Sequence, residues 1–189
     1  MVIKIFIDQE YNPTDYFDSG PVAFGVSAQE VNWQVGAFLA TLLNTDPRFE
    51  VRLSRPTPET VVGTDTASSE AERVQMANDW PADYYIVINS SFSFLPEENG
   101  TEVYVFRLYT SPNWLAQNVL EGIVQNVGTK NNGVRENPFM YKLRYTKMPT
   151  IIVDLAYLTN AEDSIKLRNN QYQFASGIYI GFLKFIGYA

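Results

Sequence analysis

The alternation of short apolar runs with amphipathic segments constrains the fold of this 189-residue chain more than any other feature. Residues 2–8 form a compact run rich in β-branched side chains, which is typical of a buried strand. Residues 31–42 carry apolar side chains at helical spacing, and residues 49–53 alternate as a second strand. The pattern predicts an α/β domain with three layers, in which helices flank a mixed, mostly parallel sheet of about six strands.

The remaining segments continue the same alternation. The further predicted elements are strands over residues 84–88, 101–109 and 150–155, helices over residues 69–79 and 112–127, and a C-terminal helix that carries Phe174, Ile178, Phe182 and Ile186. Residues 56–69 and 128–137 are predicted to be loops. Ser27 is predicted to cap the first helix, with Glu30 completing a capping box. No repeat or linker interrupts the chain, so we expect one domain over residues 1–189.

Two residue types are missing from the composition, and their absence excludes much of enzyme chemistry. The chain has no cysteine, which removes thiolate metal sites and cysteine nucleophiles. It also has no histidine, which removes Ser–His catalysis and every zinc site that needs an imidazole. The net charge of −7 does not suit a nucleic-acid binder. Because we find neither a membrane span nor a signal peptide, we expect a soluble protein made in the cytoplasm.

Polar side chains stand at the ends of three predicted strands. They are Asp8, Glu10 and Tyr11 at the first strand, Asn89, Ser90 and Ser91 at the strand over 84–88, and Asp154 at the strand over 150–155. Ligands of open α/β sheets bind at the carboxyl ends of the strands. If these strands are parallel neighbours, the three sets meet at one edge of the sheet, where we expect the functional site.

Several stretches, in order, resemble the zinc-dependent N-acetylmuramoyl-L-alanine amidases, which hydrolyse bacterial cell wall. The matching stretches are residues 4–8, 31–32, 49–55, 72–78, 82–86, 100–104 and 143–160. The last of these is the most specific and includes Arg144, which matches a motif position of the family. The resemblance covers nearly the whole chain and implies the amidase fold and a role in cell-wall biology. The cell wall is then reached only if the protein is exported or released.

The resemblance also implies that the family's zinc ligands have been replaced here. The family holds zinc with two His and one Glu and uses a further Glu as catalytic base. The ligand positions fall on Tyr11, Ala28 and Asn89, and the base position falls on Asp154, which is one methylene shorter than Glu. Glu30 cannot replace the lost glutamate at position 28, because two residues turn a helix by about 200°. We therefore predict no zinc, no other cofactor and no zinc-dependent hydrolysis.

Three functions remain open on the sequence alone. The first is a degenerate amidase-like protein whose groove binds peptidoglycan stem peptide, or a cell-envelope protein, without cutting it. The second is a peptidoglycan hydrolase that uses carboxylates in place of zinc, either as an acid–base pair or as an oxygen-only site for Mg²⁺ or Ca²⁺. Its candidate residues are Asp8, Glu10, Glu102 and Asp154. The third is a structural interaction module that acts through an exposed apolar patch.

Overall fold

A computed structural model describes residues 2–188 and shows that strands and helices alternate along most of the chain. The strands are β1 (Ile3–Gln9), β2 (Val22–Ala23), β3 (Val26–Ser27), β4 (Phe49–Leu53), β5 (Tyr84–Ser91), β6 (Thr101–Val105), β7 (Asn131–Glu136) and β8 (Thr150–Tyr157). The helices are α1 (Ala28–Asn44), α2 (Thr66–Asp79), α3 (Ser111–Val127), α4 (Tyr141–Tyr145), α5 (Ala161–Asn169) and α6 (Gln171–Phe185).

Six of these strands form one sheet in the order β4–β1–β5–β8–β6–β7. The first four in that order run parallel, β6 runs antiparallel to β8, and β7 runs parallel to β6. This arrangement confirms the predicted mixed sheet of six strands flanked by helices. It also confirms that β1, β5 and β8 are parallel neighbours, so their carboxyl ends lie at the same edge of the sheet.

The two faces of the sheet are covered unequally, and this difference leaves room for a site. Alternate strand residues such as Ile7, Ile88 and Val153 face the larger core, which α1, α3 and α6 cover. The opposite face carries a smaller core around Phe6 and Tyr85, which α2 and α4 cover. Within residues 2–188, no helix is both long and apolar enough to cross a membrane.

Helix α2 starts earlier than predicted, and the capping of helix α1 differs from the prediction. Helix α2 begins three residues earlier than predicted because Asp65 caps it: its carboxylate accepts from the Ser68 amide, and the Asp65 amide donates to the Ser68 hydroxyl oxygen. Ser27 does precede α1, but the predicted capping box with Glu30 is wrong. The Ser27 side chain is buried beside the β2–β3 hairpin and makes no capping hydrogen bond.

Strand β7 was predicted to be a loop, and that prediction is wrong. Its sequence, Asn-Asn-Gly-Val-Arg-Glu, contains a single apolar residue, Val134, and so lacks the apolar pattern of a buried strand. Such a polar sequence is compatible with a strand here because β7 lies at the edge of the sheet, with one strand neighbour and one open flank. Strand β6 is shorter than predicted and ends at Val105. The remaining residues of the predicted strand, 106–109, lie in a loop instead, where Tyr109 is 87% exposed.

Candidate functional site

Three polar side chains form a row across the neighbouring strands β5, β8 and β6, toward the carboxyl ends of β5 and β8. Asn89 of β5 pairs with Asp154 of β8, and Asp154 pairs with Glu102 of β6. Residues that are paired across neighbouring strands point to the same face, so the row lies on the face that α2 and α4 only partly cover. The row forms part of the wall of an open groove of about 350 Å³. The other lining residues are Tyr11, Ser90, Ser91, Phe92, Glu98, Tyr104 and Tyr157.

Asp154 is buried at the centre of this row and is held by two side-chain donors. Asn89 Nδ2 donates to one carboxylate oxygen at 2.9 Å, and Ser91 Oγ donates to the other at 2.8 Å. Burial, together with the neighbouring carboxylates Glu102 and Glu10, outweighs these two hydrogen bonds and raises the pKa of Asp154 to about 6. The carboxyl group therefore titrates near neutral pH.

Two tyrosines surround the neighbouring carboxylate, Glu102. The hydroxyls of Tyr104 and Tyr157 both donate to Glu102 Oε1 at 3.0 Å. Arg135 Nε lies 2.7 Å from Glu102 Oε2. Tyr157 reaches this face because β8 has one extra residue between its pairings with Asn89 and Ser91, a β-bulge that reverses the alternation.

The raised pKa of Asp154 predicts a particular pH dependence of stability. The folded state favours the neutral acid, so Asp154 contributes to the stability of the fold at low pH. This contribution is complete below the pKa that Asp154 has in the unfolded chain, and it is lost as the pH rises through about 6. From about pH 4 to about pH 7, wild type should lose about 2–3 kcal/mol of unfolding free energy relative to Asp154→Asn. Urea denaturation of both proteins measures this difference. Parallel pH profiles would show that the carboxyl group titrates normally.

The other two acidic residues at the strand ends, Asp8 and Glu10, belong to a separate cluster of buried charges. Arg73 donates to Asp8 at 2.6 Å, and Lys142 Nζ lies 2.8 Å from the other Asp8 oxygen. Lys142 also pairs with Glu10. The four carboxylates that the sequence suggested as one site thus divide into two sets, Asp8 with Glu10 and Glu102 with Asp154.

The charge cluster shifts the pKa values of its members in opposite directions. Burial raises the pKa of Asp8, but Lys142 and Arg73 outweigh it and hold that pKa below its ordinary value. Burial also raises the pKa of Glu10, and here the nearby cations do not reverse the effect. No sequence pattern indicated that Lys142 is buried, whereas Arg73 lies in residues 72–78, one of the stretches that carry the resemblance.

The three positions that the resemblance assigns to zinc ligands differ in their surroundings. Ala28 is fully buried at the start of α1 in the larger core. Asn89 directs its amide nitrogen at Asp154. Tyr11 has a φ of 73°, and its ring packs on Gly20, where an added Cβ would lie 2.5 Å from the ring. Burial, with help from Glu10, raises the pKa of the Tyr11 hydroxyl, which stays a neutral phenol.

These residues do not fit a zinc ion. A zinc site needs three protein donors of nitrogen, sulfur or carboxylate type. Ala28 has no donor atom, the Tyr11 hydroxyl is protonated, and Asn89 offers a neutral amide oxygen. Within residues 2–188, no three His, Cys, Asp or Glu side chains come together in an arrangement that could hold a metal ion.

Two further residues named from the sequence lie outside the groove. Arg144 is exposed on α4, and its guanidinium carbon lies 5.7 Å from the centre of the Tyr145 ring. Glu30 is exposed on α1, as the helical geometry predicts. The structure therefore brings together Tyr11, Asn89, Glu102 and Asp154 and does not add Arg144 to them.

Comparison with known proteins points to a single family. The sequence model of N-acetylmuramoyl-L-alanine amidase matches residues 5–184. The chain is 33% identical over 171 residues to N-acetylmuramoyl-L-alanine amidase LytC of Bacillus subtilis, an alignment that covers 89% of this chain and 32% of LytC. The chain thus spans about a third of the length of that relative.

Two solved structures share the whole architecture. The N-acetylmuramoyl-L-alanine amidase from Clostridium difficile 630 has a TM-score of 0.86 at 26% identity and covers 98% of this chain and 97% of its own. The catalytic domain of CwlV from Bacillus (Paenibacillus) polymyxa also has a TM-score of 0.86, at 23% identity, and covers 100% of both chains. The latter similarity shows the fold alone.

Proposed function

Because the chain belongs to the N-acetylmuramoyl-L-alanine amidase family, we propose that it binds peptidoglycan fragments in its groove without zinc-dependent hydrolysis. The observation that carries this proposal is the donor set at Tyr11, Ala28 and Asn89. A zinc ion lowers the pKa of a bound water from about 15.7 to about 7, which makes hydroxide available at neutral pH. A site that cannot hold the ion does not activate water in this way.

The shape and surface of the groove support a binding role. The groove is open, lies near the strand ends and has Tyr11, Tyr104 and Tyr157 among its lining residues. At its rim, Phe92 and Phe94 pack edge to face with their ring centres 5.3 Å apart. Phe94 is 92% exposed, so its ring gains almost no free energy from burial within the chain. Exposed aromatic side chains beside a polar groove suit a ligand that has both apolar and polar parts.

Co-sedimentation with purified cell wall tests this proposal. Wild type should sediment with protein-free cell wall and release no stem peptides from it. Tyr157→Ala should weaken sedimentation, since Tyr157 lines the groove. Tyr109→Ala is the matched control, because Tyr109 is exposed beyond the far end of β6 and should sediment like wild type.

Three results would contradict the proposal in different ways. Release of stem peptides by wild type would show that hydrolysis persists. Sedimentation only with cell wall that retains its proteins would assign the binding to a cell-envelope protein instead of peptidoglycan. Equal loss of sedimentation in the Tyr157 and Tyr109 variants would place the binding surface outside the groove.

A carboxylate-based hydrolase is a second candidate, and one observation favours it. Asp154 has a pKa of about 6 and stands beside Glu102, as an acid–base pair requires. Activity of this kind should vanish in Asp154→Asn while sedimentation with cell wall persists. If wild type releases no cell-wall fragments at all, this candidate is excluded.

A further inference from the structure

We propose that the groove recognises a primary ammonium group. This inference rests on the proposed function, because it names the chemical group of a peptidoglycan fragment that the groove would hold. The argument depends on the hydrogen-bonding groups that line the groove and on the partners that they already have.

Apart from the Tyr11 hydroxyl, the side-chain donors of the groove wall are directed at groups of the protein itself. Asn89 Nδ2 and Ser91 Oγ donate to Asp154, and the hydroxyls of Tyr104 and Tyr157 donate to Glu102. Ser90 Oγ, a further donor, is bonded to Asn32 Oδ1 at 2.7 Å. The hydrogen-bonding sites of the wall that remain available to a ligand are therefore mainly acceptor lone pairs.

Two buried acceptor atoms on this wall receive no hydrogen bond from residues 2–188. They are Asn89 Oδ1 and Glu102 Oε2. Glu102 is 3% exposed, and although Arg135 Nε lies 2.7 Å from its Oε2, the two are not aligned for a hydrogen bond. Glu102 Oε2 thus has an ion-pair partner but no aligned donor, and Asn89 Oδ1 has no donor among these residues. A buried acceptor without an aligned donor costs free energy, which a ligand with several N–H groups would recover.

The charge of the groove selects a cationic donor. Glu98, Glu102 and Asp154 line it, and no Lys or Arg of residues 2–188 is among the lining residues, so the carboxylates outnumber the one guanidinium, that of Arg135, which pairs with Glu102. Tyr104 and Tyr157 are also lining residues, and aromatic rings attract cations. A primary ammonium combines a positive charge with three N–H donors. A metal ion suits the groove less well, because no three acidic side chains converge in these residues.

Binding of small probes to wild type tests the inference. The probes are Nα-acetyl-lysine amide, which has only a side-chain ammonium, alanine amide, which has only an α-ammonium, and Nα,Nε-diacetyl-lysine amide, which has neither. We expect at least one ammonium probe to shift the backbone amide NMR signals of residues 89–91 and 154–157. The diacetyl probe should bind at least about tenfold more weakly, because it lacks the charge-assisted hydrogen bonds. Whichever ammonium probe binds more tightly shows whether the ammonium group of the natural ligand belongs to a side chain or to a peptide amino terminus.

Charge-removing variants locate the interaction. Glu102→Gln should weaken binding of the preferred probe by about tenfold or more. Glu97→Gln is the matched control, because it removes an exposed charge beside the groove but outside its lining, and binding should stay within about twofold. If Glu102→Gln does not fold, the exposed Glu98→Gln variant takes its place and should weaken binding by about twofold or more.

Three results would overturn the inference. They are equal binding of the diacetyl probe, no shift of the groove signals with either ammonium probe, and Ca²⁺ binding at the same residues more tightly than both. Cell-wall sedimentation together with any of these would leave the proposed function standing while removing the ammonium site. Loss of sedimentation would instead remove the proposed function, whatever the probes show.

Discussion

Replacing Lys142 with Met should lower the free energy of unfolding by about 3–5 kcal/mol. The side chain of Lys142 is 3% exposed, and its Nζ contacts the carboxylates of Asp8 and Glu10. Met keeps a similar length but no charge, so Glu10 would lose its direct cationic partner and Asp8 would keep Arg73 alone. Burial lowers the pKa of Lys142, but these two carboxylates outweigh it and raise the pKa above its ordinary value. The residue is therefore charged in the folded protein.

Denaturant unfolding measures this effect against a matched surface pair. Lys184 lies 2.8 Å from Glu121, with the two side chains 55% and 51% exposed. Lys184→Met should therefore cost no more than about 1 kcal/mol. The double variant Lys142→Met, Glu10→Gln should be less destabilised than the sum of its single changes, since the lysine and the carboxylate contact each other. Equal losses of unfolding free energy for Lys142→Met and Lys184→Met would show that the buried charge cluster stabilises the fold no more than an exposed ion pair does.

Restoring the three ligand types should turn this chain into a zinc-binding protein. We expect the triple variant Tyr11→His, Ala28→Glu, Asn89→His to hold one zinc ion tightly, because it places two imidazoles and one carboxylate at the positions that the resemblance assigns to the zinc ligands. The left-handed backbone at position 11 is a conformation in which His is enriched among non-glycine residues. Metal titration with a competing chelator measures the affinity.

The double variant Tyr11→His, Asn89→His is the control for this experiment. It retains the natural Glu30, which is exposed and lies about 200° around the helix from position 28. We expect it to bind zinc far more weakly than the triple variant. If the double variant binds as tightly, a donor other than position 28 completes the site. If the triple variant binds no zinc, the scaffold has changed by more than its ligand residues.

Hydrophobic periodicity predicted the parts of the fold that are buried on both faces. Strands β1, β5 and β8 read as apolar runs because helices cover both sides of the sheet. The edge strand β7 could not be found in this way, since it has one strand neighbour and mostly polar side chains. Short-range capping was also ambiguous, because Ser27 and Asp65 both precede helices and only Asp65 forms a capping box.

The strand-end rule predicted the position of the candidate site but not the partners of its side chains. It placed Tyr11, Asn89 and Asp154 at one edge of the sheet, as the structure does. It could not show that Asp8 pairs with Arg73, 65 residues away, or with Lys142. The approach of Tyr157 to Glu102 depends on a β-bulge, which the sequence does not mark.

The zinc content of the wild-type chain tests the central claim most directly. The protein is incubated with excess zinc, desalted and analysed for metal per chain, with the triple variant processed in parallel. We predict no zinc above the buffer blank for wild type and one zinc per chain for the triple variant. One tightly held zinc per wild-type chain, retained against a chelator, would contradict the account.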